Sequence, residues 1–444
     1  MKIKITKGYR HEINKDIAVF RALPYAKPPV GDLRWMAPEI ERDLTSYERY
    51  DAADGIYKTR EPAQRCIQGL TSGERLTEDC LYLDVYAPID AIESGKQLSV
   101  LIYFHGGAFF FGSNSLAVTP DKGAFIAATQ DVIVVSVNYR LGAFGFLFSE
   151  ALQSKLAEEH GVQYSDKPSS GNQGLMDQQM AMIWVAENAK YFGGNENDIT
   201  IGGMSAGGQS VHAHMVMESS KNLFHKAIAF SGPQGLPYYN AEEGELITEG
   251  IANLVECCEK PIIDVAPPNC RNAINEATIA CMKNRTAAAI NSAAWKLEQF
   301  LPIGNFERLT MIAEPYAPVI NTAMLDEMPF YSFSKAEIHD KPLLIDVSEN
   351  EGAFFINLMM WGVQCEEDVT VCETNWNRML EYLLSEEDMK TVIEANFYNC
   401  PEDPAEECLP QADKFLTDFT WYCNMNKCMK DGFPGKLDMI FISL

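Results

Sequence analysis

A serine surrounded by small residues follows a β-branched run in the stretch TIGGMSAGGQS, residues 200–210. Residues 203–207, GMSAG, fit the pattern Gly-x-Ser-x-Gly, in which a sharp turn between a strand and a helix exposes the serine hydroxyl. Glycines suit this turn because its backbone segments come too close together for a Cβ atom. The five residues alone are a weak signal, but the sequence before them predicts a strand and the sequence after them a helix. We therefore predict that Ser205 is a nucleophile.

A second turn of small residues lies upstream in YFHGGAFFFGS, where another predicted strand ends. Attack on an ester carbonyl needs hydrogen-bond donors for the oxygen that becomes negatively charged. We expect the backbone N–H groups of Gly106, Gly107 and Ala108 to join that of Ala206, at the start of the predicted helix, in this role. The two turns together favour acyl-transfer chemistry.

The elements that must position both turns are short apolar strands alternating with helices. The clearest helix spans residues 174–192, where Met176, Met180, Ile183 and Trp184 recur on one face. Near-continuous apolar strands fit a sheet that is buried on both faces. Such strands cover residues 99–104, 132–137, 199–203, 227–231, 343–347 and 438–443. The alternation predicts an α/β fold with a doubly wound, mostly parallel sheet and helices on both faces.

The length of 444 residues would allow several domains, but α/β folds of this size often form one. Segments 240–340 and 355–430 are rich in Asn, Glu, Cys and Pro, which is typical of insertions above the sheet. We expect residues 1–444 to form a single domain with long insertions.

The composition argues against two classes of partner. The chain has 62 acidic and 36 basic residues and a net charge of −26, so nucleic-acid phosphates and anionic membranes would be repelled. No apolar run reaches the roughly 18 residues that a spanning helix needs. The first residues, MKIKITKGYRHEINKD, lack the apolar core of a signal peptide. We expect no nucleic-acid partner, no membrane span and no signal peptide.

The twelve cysteines are even in number and lie mostly in loop-like stretches. This pattern favours disulfides and an oxidising compartment, either outside the cell or in the secretory pathway. The alternative is a cytoplasmic protein with reduced thiols, which the missing signal peptide keeps open. No Cys-x-x-Cys or His-x-x-x-His spacing indicates a metal site, and the predicted chemistry needs no cofactor.

Five further stretches accompany the serine motif. They are FRALPYAKPPVGDLRWMAPE (20–39), EDCLYLDVYAP (78–88), HGGAFFFG (105–112), VSVNYRLGAFGFL (135–147) and GNQGLMDQQMAMIWV (171–185). Together with FGGNENDITIGGMSAGG (192–208) they resemble the type-B carboxylesterase family, which also contains the cholinesterases and neuroligins. The resemblance covers nearly the whole chain. It implies an α/β-hydrolase fold and hydrolysis of small-molecule esters through an acyl-enzyme on Ser205.

The resemblance also implies the other site residues. Gly107 and Ala108 take the places of the second and third residues of the family's glycine run, and alanine still offers its backbone N–H. The family's acid corresponds to Glu351 in DVSENEGAFF. Asp346 stands where the family has a glycine, and Glu349 is the nearest competitor for the role of the acid.

Scaffold features follow from the same resemblance. It implies disulfides Cys66–Cys80 and Cys270–Cys281, with Cys257 or Cys258 as an alternative partner in the second. It also implies two buried structural ion pairs, Arg34 with Glu78 and Arg140 with Asp177.

The predicted site lacks a recognisable base. The triad of this fold runs serine, acid, histidine along the chain, yet none of the seven histidines follows Glu351. The family's histidine lies beyond the strand that DMIFIS resembles, so we expect this chain to lack the segment that carries it. His105 belongs to the oxyanion turn, where its ring braces the backbone, and His212, His214 and His225 are expected to be structural. Impaired hydrolysis is the result.

Two features bear on the substrate. The segment between Cys66 and Cys80 has no tryptophan for a quaternary ammonium, and Met204 replaces the glutamate of cholinesterases. Neutral carboxylic esters are therefore favoured over choline esters. The alternative hypothesis is a non-catalytic, neuroligin-like adhesion or ligand-binding protein. Asn284-Arg285-Thr286 is the one Asn-x-Ser/Thr glycosylation sequon.

Overall fold

The computed structural model describes eleven ranges of the chain: residues 8–53, 56–69, 76–155, 170–258, 261–262, 269–270, 274–298, 316–352, 390, 409–422 and 439–443. Within them, one sheet of nine strands forms the centre of the fold. Its strands are β1 (Tyr9–Arg10), β2 (Ile17–Pro24), β3 (Tyr82–Pro88), β4 (Leu98–Phe104), β5 (Ile133–Val137), β6 (Gly194–Met204), β7 (Lys226–Phe230), β8 (Leu343–Val347) and β9 (Met439–Ser443).

The strand order places both candidate turns at one edge of this sheet. The order is β1-β2-β3-β5-β4-β6-β7-β8-β9. Pairs from β1 to β5 are antiparallel, and every neighbouring pair from β5 to β9 is parallel. The carboxyl ends of β4, β6, β7 and β8 therefore share one edge, where open α/β sheets bind their ligands. The predicted mostly parallel sheet is confirmed.

Side chains on successive strand residues enter two different apolar clusters, one on each face of the sheet. Val19 and Val134 pack in one cluster, together with residues of a helix that follows β4. Their neighbours Phe20 and Val135 pack in the other, larger cluster. Both faces are covered, which explains why the strands are apolar at nearly every position.

The helices lie between and beyond these strands. They are α1 (Ile89–Ser94), α2 (Asn114–Ala117), α3 (Pro120–Gln130), α4 (Gly142–Gly145), α5 (Gln173–Asn188), α6 (Ala206–Val216), α7 (Ala241–Leu254), α8 (Glu276–Lys283), α9 (Ala287–Glu298), α10 (Pro329–Ser334) and α11 (Leu409–Thr417). The predicted helix 174–192 is confirmed as α5 and the 3-10 turn Ala189–Phe192, with Met176, Met180 and Trp184 buried. Segment 355–430 lies mostly outside the described residues. No helix in the described ranges is long and apolar enough to cross a bilayer.

Two disulfides can be compared with the expected pairs. Cys66–Cys80 is confirmed, with Cα atoms 5.0 Å apart. The expected Cys270–Cys281 bond is wrong, because Cys281 bonds Cys257 instead. The turn that ends α7 holds Cys257 through a hydrogen bond from its N–H to Ala252 O, and its Cα lies 5.6 Å from that of Cys281. Cys258 is disulfide-bonded as well.

Loss of the Cys66–Cys80 bond should lower the free energy of unfolding by about 3 kcal/mol, because the bond closes a loop of about 15 residues and restricts the unfolded chain. The double variant Cys66→Ala/Cys80→Ala tests this value by urea unfolding without reductant. The single variant Cys66→Ala is the control, since it breaks the same cross-link and should lose a similar amount. An unchanged midpoint in both variants would contradict the expectation.

Both implied ion pairs are present and buried. Arg34 Nε and Nη2 each lie 2.6 Å from an oxygen of Glu78. Arg140 Nε and Nη2 each lie 2.8 Å from an oxygen of Asp177. The second pair is the more deeply buried, with side chains 3% and 0% exposed.

Candidate active site

Ser205 occupies a sharp turn between β6 and α6. Its backbone has φ 56° and ψ −123°, a strained region for a residue with a side chain. Its N–H donates to Phe230 O of β7 at 2.9 Å, which holds the turn at the carboxyl end of the sheet. Met204 beside it is 50% exposed. Within the described ranges the Ser205 hydroxyl has no hydrogen-bond partner, so it is accessible for reaction.

The glycines around Ser205 are required by close backbone contacts. A Cβ atom on Gly203 would lie 2.4 Å from Gly207 O, and one on Gly207 would lie 2.2 Å from Phe104 O. Both distances are far shorter than a carbon–oxygen contact allows, and the atoms met belong to backbone. The turn predicted from GMSAG is therefore confirmed, together with its reason.

The upstream turn lies against the serine. A Cβ atom on Gly106 would be 2.6 Å from Met204 O and 3.1 Å from Ser205 Cβ. The next three residues, Gly107, Ala108 and Phe109, all have positive φ, at 118°, 54° and 53°. The structure thus brings together the two turns that are about 100 residues apart in the sequence.

Three backbone N–H groups at this junction, those of Gly107, Ala108 and Ala206, have no hydrogen-bond partner among the described residues. Ala206 is the first residue of α6, where the unpaired amides carry partial positive charge. Free donors that converge beside a hydroxyl are what a developing oxyanion requires.

The side chain of His105 holds the upstream turn through a hydrogen bond and a ring contact. Its Nδ1–H donates to Gly106 O at 2.8 Å, and its ring stacks on Tyr139 at 4.3 Å between centroids. The Tyr139 hydroxyl donates to His105 O at 2.6 Å. Burial lowers the pKa of His105 to about 4, so the ring is neutral at pH 7. The expected bracing role is confirmed.

A residue that the motifs did not point to fixes the other end of this turn. The Gln68 side chain accepts from Gly112 N–H and donates to Gly112 O, each at 2.9 Å. It also donates to Cys66 O at 2.9 Å. Gln68 is 3% exposed and joins the oxyanion turn to the Cys66–Cys80 loop. Only the long-range contact reveals this role.

Substitution Gln68→Leu should lower the free energy of unfolding by about 1–3 kcal/mol, because it leaves the buried Gly112 N–H and C=O unpaired. It should also slow covalent modification of Ser205, because the turn that carries Gly107 loses its anchor. Chemical denaturation and probe labelling measure the two effects. Gln130→Leu is the control: Gln130 is exposed, its side chain donates a 3.4 Å hydrogen bond to the hydroxyl of the preceding threonine, and the same substitution there should change neither measurement.

Glu351 lies four residues beyond β8, at the same edge as Ser205. One strand, β7, separates β6 from β8, so these strands are about 10 Å apart. Glu351 is partly buried and its Oε1 accepts from Ser348 N–H at 2.8 Å, whereas Glu349 is exposed. The next N–H, of Gly352, donates to Thr417 Oγ1 at 2.8 Å. Glu351 is thus the less exposed of the two candidate acids.

Asp346, the departure from the family's glycine, sits between these elements. Its backbone O accepts from Ser231 N–H at 2.7 Å. Its Oδ1 is buried and finds no hydrogen-bond partner in the described ranges. Phe230 of β7 and Ile442 of β9 flank it in register.

Three further histidines, His212, His214 and His225, have predicted structural roles. His214 contacts Ser220 Oγ and Gln178 Oε1, each at 2.9 Å, and His225 Nδ1 accepts from Ile199 N–H at 3.1 Å. His212 is buried, and neither ring nitrogen has a partner among the described groups. Burial lowers the pKa of both His212 and His214 to about 3. These contacts confirm the expected structural role of His214 and His225, and the same role stays a prediction for His212.

An aromatic wall stands beside the oxyanion turn. Phe110 lies between Trp295 and Tyr316, with centroid distances of 5.9 and 6.0 Å and interplanar angles of 14° and 19°. Phe111, the next residue, is 50% exposed. The site therefore offers apolar, planar surface next to Ser205.

Comparisons with known proteins agree with this geometry. A family model described as the carboxylesterase family matches residues 6–434. Esterase E4 of Myzus persicae is 30% identical over 392 residues, which are 86% of this chain and 60% of that protein. Cocaine esterase of Homo sapiens is 30% identical over 390 residues, 84% of this chain and 59% of that protein. The chain thus spans about three fifths of the length of these relatives.

A solved structure titled PNB esterase superposes with a TM-score of 0.68 at 27% identity. The match covers 94% of this chain and 74% of that one. Together with the strand order, this likeness confirms the α/β-hydrolase fold.

Proposed function

Because the chain belongs to the carboxylesterase family, we propose that residues 1–444 form one esterase domain that hydrolyses small carboxylic esters through Ser205. The observation that carries the proposal is the Ser205 hydroxyl on a strained turn, next to three backbone N–H groups that donate to no group in the described ranges. Ser205 Oγ attacks the carbonyl carbon, the alcohol leaves, and water hydrolyses the acyl-enzyme.

The amides of Gly107, Ala108 and Ala206 stabilise the negative oxygen of each tetrahedral intermediate. Each such donor is worth about 10²–10³ in turnover in enzymes of this type. We assign Glu351 as the acid of the site, the residue that would orient a base and balance its charge. The contact of Glu351 with Ser348 N–H and the exposure of Glu349 support this assignment.

Among the described residues, no base is hydrogen-bonded to Ser205. None of the described histidines forms a hydrogen bond with Ser205, and burial lowers the pKa of His105 to about 4 and the pKa of His212 and His214 to about 3, which makes each of these rings a weak base. In subtilisin, loss of the histidine alone costs about 10⁶ in turnover, while oxyanion hole and binding keep 10³–10⁴ over water. We therefore expect slow hydrolysis from residues 1–444.

Neutral and partly apolar esters suit the surroundings of Ser205. Met204 is half exposed and uncharged, and the Phe110 wall adds aromatic surface. The Cys66–Cys80 segment has no tryptophan to hold a quaternary ammonium group. The Cys66–Cys80 and Cys257–Cys281 bonds support export to an oxidising compartment.

A fluorophosphonate probe tests the nucleophile and the missing base together. We expect slow labelling of Ser205, located by peptide mass spectrometry, and an acceleration of about tenfold or more by added imidazole, because a general base contributes about 10²–10⁴. Pyrazole, a ring of the same size but a much weaker base, is the control and should not accelerate labelling.

The absence of a base contact at Ser205 among the described residues favours one competing function, a neuroligin-like adhesion or ligand-binding protein. This alternative predicts no labelling of Ser205 even with imidazole. Fast labelling without imidazole would instead reveal a working base that the described residues do not contain.

A further inference from the structure

We propose that Asn284 is a site of N-linked glycosylation. The acceptor sequence Asn284-Arg285-Thr286 lies in the turn between α8 and α9, and the side chains of Asn284 and Thr286 are exposed. Arg285 between them is directed inward: its Nη2 donates to Glu256 O at 3.1 Å and its Nε to Cys257 Sγ at 3.5 Å. The acceptor residue is therefore exposed on a fixed turn. This inference depends on the proposed export of the chain and not on its ester chemistry.

The turn keeps its shape without the Asn284 side chain. Arg34 Nη1 donates to the backbone oxygens of Met282, Lys283 and Arg285 at 3.2, 3.1 and 2.7 Å. The Cys257–Cys281 bond fixes α8 three residues before Asn284. A bulky group on Asn284 would thus project from the surface and leave the packing beneath the turn unchanged.

The modified residue can keep its existing contact. Asn284 Nδ2 donates one hydrogen bond, to Ala280 O at 3.0 Å. Glycosylation replaces one of its two N–H hydrogens, and the other remains available for this bond. The Thr286 hydroxyl accepts from Ala289 N–H at 3.2 Å and caps α9.

The chemistry is a transfer without oxidation or reduction. Nδ2 of Asn284 attacks C1 of the reducing-end sugar of an oligosaccharide that is linked to a lipid through pyrophosphate. The new C1–N bond forms as the C1–O bond breaks, and the lipid pyrophosphate leaves with the electron pair. Nδ2 loses one proton. The donor and its transferase belong to the secretory pathway, where the disulfides of this chain would also form.

Translation of the full chain with microsomes tests the site. For this test, a cleavable signal peptide is added before Met1, followed by a short N-terminal extension that contains the tripeptide Asn-Gly-Thr. Only molecules with a glycan on the extension are counted, because these have met the transferase. We expect two glycans on the chain that carries no substitution in residues 1–444. Peptide N-glycosidase should remove both glycans and convert the Asn284 amide to a carboxylate, which the mass spectrum detects.

Matched variants separate acceptor chemistry from folding. Asn284→Gln and Thr286→Asp should each lose one glycan; the aspartate still caps α9 but destroys the acceptor sequence. Thr286→Ser keeps both the cap and the acceptor and should keep two glycans. The proposal would be overturned if the chain without substitutions carried a glycan on the extension and none on Asn284. Slow or absent labelling of Ser205 would leave it untouched.

Discussion

Substitution Ser205→Ala should abolish fluorophosphonate labelling completely, yet change the residual turnover of 4-nitrophenyl acetate by less than about tenfold. The second expectation follows from the way that triad residues act as one unit: once the base is missing, removal of the nucleophile costs little more. The amides of Gly107, Ala108 and Ala206 remain in the variant and still stabilise an oxyanion. Labelling is measured by gel fluorescence and turnover by steady-state absorbance.

The control is Ser210→Ala, one helical turn beyond Ser205. Its hydroxyl donates to Ala206 O at 2.9 Å and is buried, so this variant should keep labelling at Ser205. A fall in turnover of about 10³ or more in Ser205→Ala would contradict the expectation, since it would mean that a base assists the serine.

Strands buried on both faces could be predicted from the sequence alone. The runs at β5 and β8 are apolar at every or nearly every position, so the predicted ranges 132–137 and 343–347 agree closely with Ile133–Val137 and Leu343–Val347. β6 is longer than its predicted core of 199–203, because Gly194 pairs with Leu98 beyond an irregularity in the ladder. Pairing of this kind depends on a partner that local sequence does not name.

The near-continuous apolar pattern did not predict two strands in the antiparallel part of the sheet, because each contains a charged residue. β2 contains Arg21 and β3 contains Asp84, and each charge interrupts an otherwise apolar run. In the fold the two side chains meet, with Arg21 Nε 3.2 Å from Asp84 Oδ2, and Asp84 Oδ1 also accepts from Ala22 N–H. A buried charge that is paired across strands is tolerated. The apolar pattern of one strand cannot anticipate this pairing.

The candidate site also contains features that the local sequence predicts and features that depend on long-range contacts. The need for glycine at 203 is local, because a Cβ atom there would meet Gly207 O, and GMSAG together with its flanking strand and helix patterns predicts the turn. The Gln68 contact with Gly112 and the choice of Cys257 over Cys270 depend on which loops meet in space. A disulfide requires a distance of about 4.4–6.8 Å between two Cα atoms in the folded chain. The spacing of cysteines along the sequence does not give this distance, so it cannot distinguish the adjacent cysteines 257 and 258.

Substitution Asp177→Asn should lower the free energy of unfolding by about 3–5 kcal/mol, a large part of the 5–15 kcal/mol of a typical domain. Asp177 is fully buried and accepts from Arg140 N–H at 3.0 Å as well as from its guanidinium. Without the carboxylate, Arg140 becomes a buried charge without compensation. Its Nη1 already lacks a hydrogen-bond partner in the described ranges, so no neighbour is placed to replace Asp177.

The same substitution should slow labelling of Ser205, because the residues on both sides of Arg140 support the oxyanion turn. Gly142 N–H donates to Phe109 O at 2.8 Å, and the Tyr139 hydroxyl donates to His105 O. Denaturant unfolding of Asp177→Asn is compared with that of Lys96→Met, which breaks exposed ion pairs with Asp90 and Asp131 and should change little. The double variant Arg140→Met/Asp177→Leu removes both charges and should recover much of the lost stability. If the single and double variants were equally unstable, shape and packing at this position would matter more than the unpaired charge.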